Sequence, residues 1–242
     1  MSHGKRYRQG RAAIDREHVY SPLEAVRIIK ELEAAKFDES VELHFNLGLN
    51  VRHAEQQLRG TLMLPHGTGK DTTVAVFAEG EKAKEAQEAG ADVVGAADLA
   101  AKIEGGFDDF DLAVATPDMM GTVGKLGRIL GPRGKMPNPK AGTVTFDVGK
   151  AVRDAKAGKL EYRTDRGANV HLLIGKKSFN ERQLLENYAT ILEEIVRARP
   201  AAAKGRYIRT ITLTTSMGPG VRVDPAKTRG IVEELEEAVA AA

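Results

Sequence analysis

Residues 131–142 combine glycine, proline and basic side chains in a pattern that suits the binding of phosphate groups. This segment contains Arg133, Lys135 and Lys140, and no acidic residue occurs between positions 121 and 146. Glycine lets backbone N–H groups approach an anion, and proline keeps a loop extended at a lower entropic cost. The same composition is typical of a flexible linker, so the segment by itself leaves both interpretations open.

A second segment, residues 214–220, brings short hydroxyl side chains, Met217 and two glycines together. Hydroxyl groups and a flexible thioether suit close packing against a ribose–phosphate surface, where 2′-hydroxyl groups are recognised by short donors. An ordinary turn that ends a strand is the alternative. His44 and His171 are each expected on a polar strand face, where histidine is commonplace, but His171 could instead contact a nucleic acid.

Nucleotide hydrolysis is the competing function from a different class, because Gly67, Gly69 and Lys70 resemble the end of a phosphate-binding P-loop. The match fails, since Leu64 stands where that motif needs glycine and Asp71 stands where it needs serine or threonine. The chain also has no cysteine, which excludes disulfides, zinc fingers, iron–sulfur clusters and a cysteine nucleophile. A nucleotide-dependent enzyme stays the alternative hypothesis, and the sequence predicts no cofactor and no bound metal.

The two signs of charge are separated along the chain. The 242 residues carry 36 basic and 34 acidic side chains in total. Residues 71–118 contain 3 basic and 12 acidic side chains, whereas residues 119–160 contain 9 basic and 2 acidic. Clustered basic residues favour a polyanionic partner, although an unevenly charged surface would give the same count. No apolar run approaches the roughly 20 residues that span a bilayer, so the sequence predicts a cytoplasmic protein without a membrane partner.

The two ends of the chain share a pattern of half-buried strands and amphipathic helices. Ser21 and Pro22 predict the start of one helix, and Ser178 with Glu181 predicts a capping box at the start of another. A turn at residues 166–167 predicts a hairpin between the strands on either side of it. The helices are expected over 22–35 and 178–197, and the strands over 41–49, 61–64, 160–163, 169–174 and 207–215.

The central part of the chain has a different pattern. Near-continuous apolar strands alternate there with helical segments, which is typical of a small parallel sheet covered on both faces. We therefore predict an α/β protein in which residues 1–67 and 160–242 form a discontinuous domain, a split antiparallel sheet with two helices on one face. Residues 68–159 are expected to form an inserted, doubly wound parallel-sheet domain. The uncovered face of the antiparallel sheet is expected to be polar.

Motifs spread over nearly the whole chain point to one known family. They are KFDES at 36–40, LPHG at 64–67, GRILGPRG at 127–134, MPNP at 136–139, IGK at 174–176 with SF at 178–179, and SMGP at 216–219. In this order they resemble the L1 family of bacterial large-subunit ribosomal proteins, which form the mobile stalk beside the tRNA exit site. The chain departs from the family pattern at Ser40 and Ser216, where threonine is common, and at Lys135, where leucine is common.

The resemblance implies a non-enzymatic ribosomal protein that binds RNA mainly through its split domain and whose movement helps deacylated tRNA to leave. It also implies repression of translation of the protein's own messenger RNA. The expected partners are large-subunit ribosomal RNA, exit-site tRNA and, as a hypothesis, that messenger, and the free protein is expected to be a monomer. The residues expected to bind RNA are Lys36, Phe37, Ser40, Asp165, Arg166, His171, Thr210, Ser216, Met217 and Gly218, together with Arg133, Lys135 and Lys140 of the basic segment.

Overall fold

A computed structural model describes residues 4–33 and 35–227 of the chain. The helices are α1 (Lys5–Ala12), α2 (Pro22–Glu31), α3 (Glu81–Glu88), α4 (Ala97–Glu104), α5 (Met120–Val123), α6 (Gly127–Leu130), α7 (Val148–Lys156) and α8 (Glu181–Arg197). The strands are β1 (Ser40–Leu47), β2 (Arg59–Met63), β3 (Val74–Phe77), β4 (Val93–Gly95), β5 (Leu112–Ala115), β6 (Lys159–Arg163), β7 (Asn169–Lys176), β8 (Ile208–Thr215) and β9 (Val221–Val223).

Contacts within the described chain divide it into two compact units. One unit contains the described residues up to Gly69 together with the described residues from Tyr162 onward, and the other is Lys70–Glu161. The first unit is therefore discontinuous in sequence, and the second is inserted between its two parts.

The four-stranded sheet of the first unit has the order β7-β1-β8-β9, with antiparallel neighbours. Every second residue of β1 is buried, from Val41 to Leu47, as the alternation in the sequence predicts. Helices α2 and α8 pack on this sheet, and Ile29 and Tyr188 are among their fully buried side chains. The alternate residues of β1 carry polar side chains that are partly exposed, so the sheet has one apolar and one polar face.

The N-terminus of α2 forms as the sequence predicts, whereas the predicted cap of α8 is wrong. Ser21 and Glu24 exchange the two hydrogen bonds of a capping box, and α2 ends at Glu31 rather than near residue 35. The capping box of α8 is formed by Asn180 and Gln183. Ser178 lies two residues before the cap position, and its N–H and hydroxyl both donate to Asp38 instead, at 3.1 and 2.7 Å.

The predicted hairpin between the strands at 160–163 and 169–174 does not form. The turn is present, since Asp165 N–H donates to Asn169 O at 2.8 Å, but the strands diverge beyond it. Strand β6 pairs with β2 in a separate two-stranded sheet, and Thr164 N–H continues that pairing by donating to Leu58 O. Strand β7 pairs with β1 instead, which makes β7 an edge of the four-stranded sheet.

Two elements of the first unit have no clear signal in the sequence pattern. Helix α1 has no buried residue, so no apolar periodicity marks it. Strand β9 has only three residues, which is too short for a reliable alternation. It pairs with β8 and extends the sheet by one strand.

The second unit is a parallel three-stranded sheet of order β4-β3-β5, as the strand–helix alternation predicts. Strand β3 is buried along its whole length, because apolar clusters cover both of its faces. Phe77 faces a cluster that includes Leu99 of α4, and Val76 faces a cluster that includes Val152 of α7. Across residues 4–33 and 35–227, no helix combines the length and the apolar character needed to cross a membrane.

Candidate nucleic-acid interface

Two segments that are far apart in sequence, 36–40 and 214–218, meet at one end of the four-stranded sheet. Ser40 N–H donates to the hydroxyl of Ser216 at 3.1 Å, and Ser216 N–H donates to Ser40 O at 3.0 Å. The antiparallel pairing of β1 with β8 sets this contact, since Val41 lies opposite Thr215. Lys176 of β7 donates from Nζ to Ser40 Oγ at 2.9 Å. Three strands therefore contribute to one small polar surface.

Glu39 fixes the geometry of this surface and is only 2% exposed. Its carboxylate accepts hydrogen bonds from Met217 N–H at 3.0 Å, from Ala35 N–H at 2.6 Å and from the hydroxyl of Thr215. Burial by itself raises the pKa of Glu39, but these hydrogen bonds together lower it by more, so the pKa lies below its usual value. Glu39 is therefore ionised at neutral pH, and it holds the 214–218 segment against the start of β1.

Phe37 and Met217 are large apolar side chains that remain on the surface, with 55% and 53% of their area exposed. Glu39 fixes the backbone beside both of them, since it accepts hydrogen bonds from Met217 N–H and from Ala35 N–H, two residues before Phe37. An aromatic ring can stack on an unpaired base, and a thioether can pack on a ribose. Because the neighbouring backbone is already ordered, these contacts would cost little further conformational entropy. Lys36 precedes Phe37 on the exposed segment and adds a positive charge.

Gly218 is needed at its position for steric reasons. A Cβ atom there would lie 2.4 Å from Thr215 Oγ1, which is far inside van der Waals contact. Thr215 Oγ1 is the hydroxyl that bonds to Glu39, and Thr214 Oγ1 donates to Gly218 O at 3.3 Å. A side chain at 218 would therefore disturb the contact between Thr215 and Glu39.

The polar face of the sheet continues from this surface across β7, β1 and β8. Asn46 donates from Nδ2 to Asn169 Oδ1 at 2.7 Å, so the face is ordered by side-chain hydrogen bonds between strands. Thr210, expected from the resemblance, lies opposite Asn46 at the far end of this face. The polar residues that share the face are Glu42, His44, Asn46, Asn169, His171, Thr210, Thr212 and Thr214.

A pair of histidines occupies the middle of this face. His44 and His171 are opposite each other in β1 and β7, and their Nδ1 atoms are 2.8 Å apart. A hydrogen bond between these atoms requires one of the two nitrogens to be unprotonated. The Nε2 atoms lie 3.7 Å from Glu42 in one ring and 3.6 Å from Asp165 in the other. Burial, and secondly the charge of His171, lower the pKa of His44 below its usual value.

This lowered pKa predicts that acid destabilises the protein in a pH range where most carboxylates are still ionised. The folded chain binds fewer protons at His44 than the unfolded chain does, so the free energy of unfolding should fall as pH drops below the ordinary histidine value of 6.5. His44→Asn should weaken this pH dependence, and His53→Asn, on an exposed residue outside the sheet, should leave it unchanged. Urea unfolding between about pH 5.5 and 7.5 measures the effect. Equal pH dependence in the wild type and His44→Asn would refute it.

Asp165 orders the turn that carries Arg166. Its carboxylate accepts hydrogen bonds from the N–H groups of Gly167 at 2.8 Å and Asn169 at 2.7 Å, and from the side chain of Asn169 at 3.0 Å. These hydrogen bonds lower the pKa of Asp165. Ala168 in the same turn has a φ of 60°, a conformation that costs energy for a residue with a side chain. Arg166 is exposed at the tip of this ordered turn, so Asp165 acts mainly by positioning its neighbour.

The basic segment 131–142 lies in the second unit, and two of its predicted phosphate ligands are already engaged there. Arg133 Nη1 lies 2.7 Å from Asp108 Oδ2, and Lys135 Nζ lies 2.8 Å from Asp108 Oδ1. Lys135 also sits 4.9 Å above the ring of Phe110. Lys140 is exposed, and its N–H donates to Asn138 within a short turn. Lys140 is therefore the member of the segment with the most accessible charge.

The structure thus gathers ten of the sequence-predicted residues on the first unit and places the other three on the second. Within the first unit, Ser40, Ser216, Met217 and Gly218 form a connected group around Glu39, which sequence reasoning missed. An isolated glutamate in KFDES gives no sign of burial, because its donors are two backbone N–H groups in irregular segments and the hydroxyl of Thr215, which is distant in sequence. His171 lies on the polar face of the sheet. Its contact with His44 follows from the register of β1 and β7, which the sequence does not reveal.

The lysine of the P-loop-like segment is paired with an acidic side chain. No group of three potential metal ligands occurs among residues 4–33 and 35–227. Lys70 Nζ lies 2.5 Å from Asp111 Oδ1, and Asp111 also accepts hydrogen bonds from Thr73. A carboxylate beside this lysine would repel a phosphate group.

Comparison with known proteins gives a consistent result over most of the chain. Residues 29–219 match the sequence model of the "Ribosomal protein L1p/L10e family". The chain is 61% identical over 227 residues to "Large ribosomal subunit protein uL1" of Rubrobacter xylanophilus, covering 93% of this chain and 99% of that protein. Proteins of the same name from Thermobifida fusca and Salinispora tropica are 59% and 56% identical, over 95% and 98% of this chain and 97% and 100% of their own lengths.

Proposed function

This chain belongs to the ribosomal protein L1p/L10e family, and from that membership we propose that its first unit binds large-subunit ribosomal RNA at the mobile stalk. The chain is a structural protein of the large ribosomal subunit and not an enzyme.

One observation supports this choice of RNA-binding surface more strongly than any other. The reciprocal hydrogen bonds between Ser40 and Ser216 hold two family motifs side by side and leave Phe37 and Met217 exposed next to a polar sheet face. Short donors, an aromatic ring and a thioether suit the unstacked bases and 2′-hydroxyl groups of folded RNA better than they suit a DNA groove. We assign Lys36, Arg166, His171 and Thr210 to the same interface, and we assign Lys140 of the second unit a separate phosphate contact.

The binding experiment compares the wild-type chain with two RNAs of equal length, the large-subunit stalk fragment and a scrambled sequence. We expect tight binding to the stalk fragment that weakens as salt rises, and much weaker binding to the scrambled RNA. Equal affinity for both would mean that the basic residues act only as a nonspecific electrostatic surface, and it would overturn the proposal.

Gly218→Ala tests whether the contact between Thr215 and Glu39 controls RNA binding. We expect a loss of affinity of about tenfold, equivalent to about 1.4 kcal/mol, because the new Cβ must displace Thr215 Oγ1 or the loop itself. The matched control is Gly121→Ala in the second unit, where a Cβ meets no atom within 4 Å. Filter binding to the stalk fragment provides the measurement. If the two alanine variants bound equally well, the steric account of Gly218 would be wrong.

We further propose that the bound protein assists the release of deacylated tRNA from the exit site. The support is the family resemblance of the motifs at 127–134 and 216–219, and the test uses ribosomes lacking the protein. Adding back the wild type should speed dissociation of a labelled deacylated tRNA after translocation. An unchanged dissociation rate would remove this part of the proposal while leaving RNA binding intact.

We also propose that the same surface represses translation of the protein's own messenger RNA. A repressor site on the messenger would have to present the shape and exposed groups that the stalk RNA presents. The wild type should therefore bind its leader RNA better than a scrambled leader, and the stalk fragment should compete for that binding. Equal binding to the true and scrambled leaders would count against repression.

A further inference from the structure

Helix α1 packs beside the 214–218 segment, although it contributes no buried residue. A Cβ on Gly10 would lie 3.4 Å from Pro219 Cδ and 3.2 Å from Leu32 Cδ2, so the backbone of α1 runs close to the end of that segment. Ile14, two residues beyond α1, is buried and anchors the helix to the first unit. Helix α1 is therefore part of the surface region that contains Met217.

The docked side of α1 also approaches the residues that follow β7. The pKa of Lys177 is lowered mainly by burial, with smaller contributions from the charges of Arg6 and Lys30. The charge of Arg6 is therefore within electrostatic range of Lys177, whose N–H donates to Glu39 O at 2.8 Å. Arg6 and Gly10 are four residues apart and share one side of the helix, which is consistent with docking through that side.

The opposite side of α1 is exposed and positively charged. The helix carries Lys5, Arg6, Arg8 and Arg11, and no acidic residue occurs from position 4 to position 14. Lys5 and Arg8 are three residues apart, so they share a face, and both are exposed. Within the described part of the chain, neither of them has an ion-pair partner. A helix that buries so little apolar surface gains little from packing, and two uncompensated cations face solvent.

We propose that α1 is a third arm of the RNA site, in which Lys5 and Arg8 bind phosphate groups of the RNA that the 36–40 and 214–218 segments hold. This inference rests on the proposed function of that surface. Charge complementarity selects the occupant, because a phosphate backbone is the polyanion already assigned to the adjoining segments. Phosphate contacts add affinity and fix position without reading sequence, so α1 strengthens binding and the two segments provide discrimination.

The test compares the full chain with the double variant Lys5→Gln/Arg8→Gln. We expect the slope of log affinity against log salt concentration to become shallower by about 2, near 0.9 for each lost phosphate contact. That change in slope corresponds to an affinity loss of roughly 60-fold at about 0.1 M salt. The ratio of affinities for the stalk fragment and scrambled RNA should change little. The matched control is Lys84→Gln/Lys102→Gln, which removes two exposed helical lysines of the second unit and should barely alter the slope.

A second variant tests the docking of α1 without changing charge. Gly10→Leu places a side chain against Pro219 and Leu32, and it should weaken binding to the stalk fragment by about tenfold or more by displacing the charged helix. Circular dichroism checks that the chain stays folded.

The outcomes separate this inference from the proposed function. If the wild type binds the stalk fragment specifically and Lys5→Gln/Arg8→Gln leaves the salt slope unchanged, the role of α1 is overturned and the RNA site stands. If the double variant loses discrimination between the two RNAs, α1 reads sequence and the inference is also wrong. If the wild type itself shows no specific binding, the proposed function fails first.

Discussion

Met217→Asp is expected to weaken binding of the stalk RNA by at least about 100-fold while the chain remains folded. Met217 is 53% exposed, so the substitution removes little from the core. In the complex the new carboxylate would lose water and face phosphate groups, and an unpaired charge buried in an interface costs about 2–3 kcal/mol or more. The effect should be larger than that of Gly218→Ala, because a charge is introduced in addition to a change of shape.

The matched control for this prediction is Met63→Asp. Met63 is another exposed methionine of the first unit, 45% exposed on β2, and it lies outside the four-stranded sheet. Both variants should unfold in urea at nearly the wild-type midpoint, and only Met217→Asp should lose affinity in a titration with labelled stalk fragment. Unchanged affinity of Met217→Asp would remove residue 217 from the interface. A parallel loss in both variants would indicate a general effect of negative charge.

Glu39→Ala is expected to lower both the stability of the chain and its affinity for RNA. The substitution leaves a cavity and deprives Thr215, Met217 and Ala35 of their common acceptor. Loss of a buried carboxylate that accepts several hydrogen bonds costs about 2–4 kcal/mol of unfolding free energy. The 214–218 segment would then have to be ordered on binding, so the affinity for the stalk fragment should also fall by about tenfold or more.

The pH dependence of Glu39 provides a second readout. Its pKa is lower in the folded chain than the usual value of 4.5, so its stabilising contribution is present above that pH and is lost as the pH falls through the folded-state pKa. As the pH falls from about 4.5 to about 3, the free energy of unfolding of Glu39→Ala should therefore decrease less than that of the wild type. Glu31→Ala, at an exposed position at the end of α2, is the control and should behave like the wild type. If Glu39→Ala were as stable as that control, Glu39 would not organise the surface.

The sequence predicts the strands and helices well where burial imposes a strict period. Strand β1 alternates because one side faces α2 and α8, and β3 is continuously apolar because helices cover both of its sides. Those patterns follow directly from which side of an element is buried. The parallel sheet of the second unit follows from the alternation of strands and helices, because parallel strands need a crossover connection.

The failed predictions of the α8 cap and of the hairpin between β6 and β7 share a different cause, since each depends on which partner a group contacts. Ser178 and Asn180 can both cap a helix, but α8 begins at Glu181, which puts Asn180 at the cap position and leaves Ser178 bonded to Asp38, a residue distant in sequence. The turn at residues 165–168 is correctly located, yet the pairing of β6 with β2 is a nonlocal choice that no local pattern encodes.

The site residues also divide into those that local sequence patterns reveal and those whose partners depend on the fold. Sequence motifs identify Ser40 and Met217 as members of one surface, but they do not reveal that buried Glu39 joins them. The basic segment is visible from composition, whereas the pairing of Arg133 and Lys135 with Asp108 depends on the fold of the second unit. Charge counted along the chain therefore overstates the charge that a ligand can reach.

The most direct test of the central claim is photo-cross-linking from an exposed aromatic position in each unit. Phe37 and Phe146 are similarly exposed, at 55% and 58%, but only Phe37 lies in the surface assigned to RNA. A photoreactive phenylalanine analogue at position 37 should cross-link to the stalk fragment, and excess unlabelled stalk fragment, but not scrambled RNA, should abolish the product. The analogue at position 146 should give little product. Cross-linking from position 146 without cross-linking from position 37 would contradict the assignment of the RNA site to the first unit.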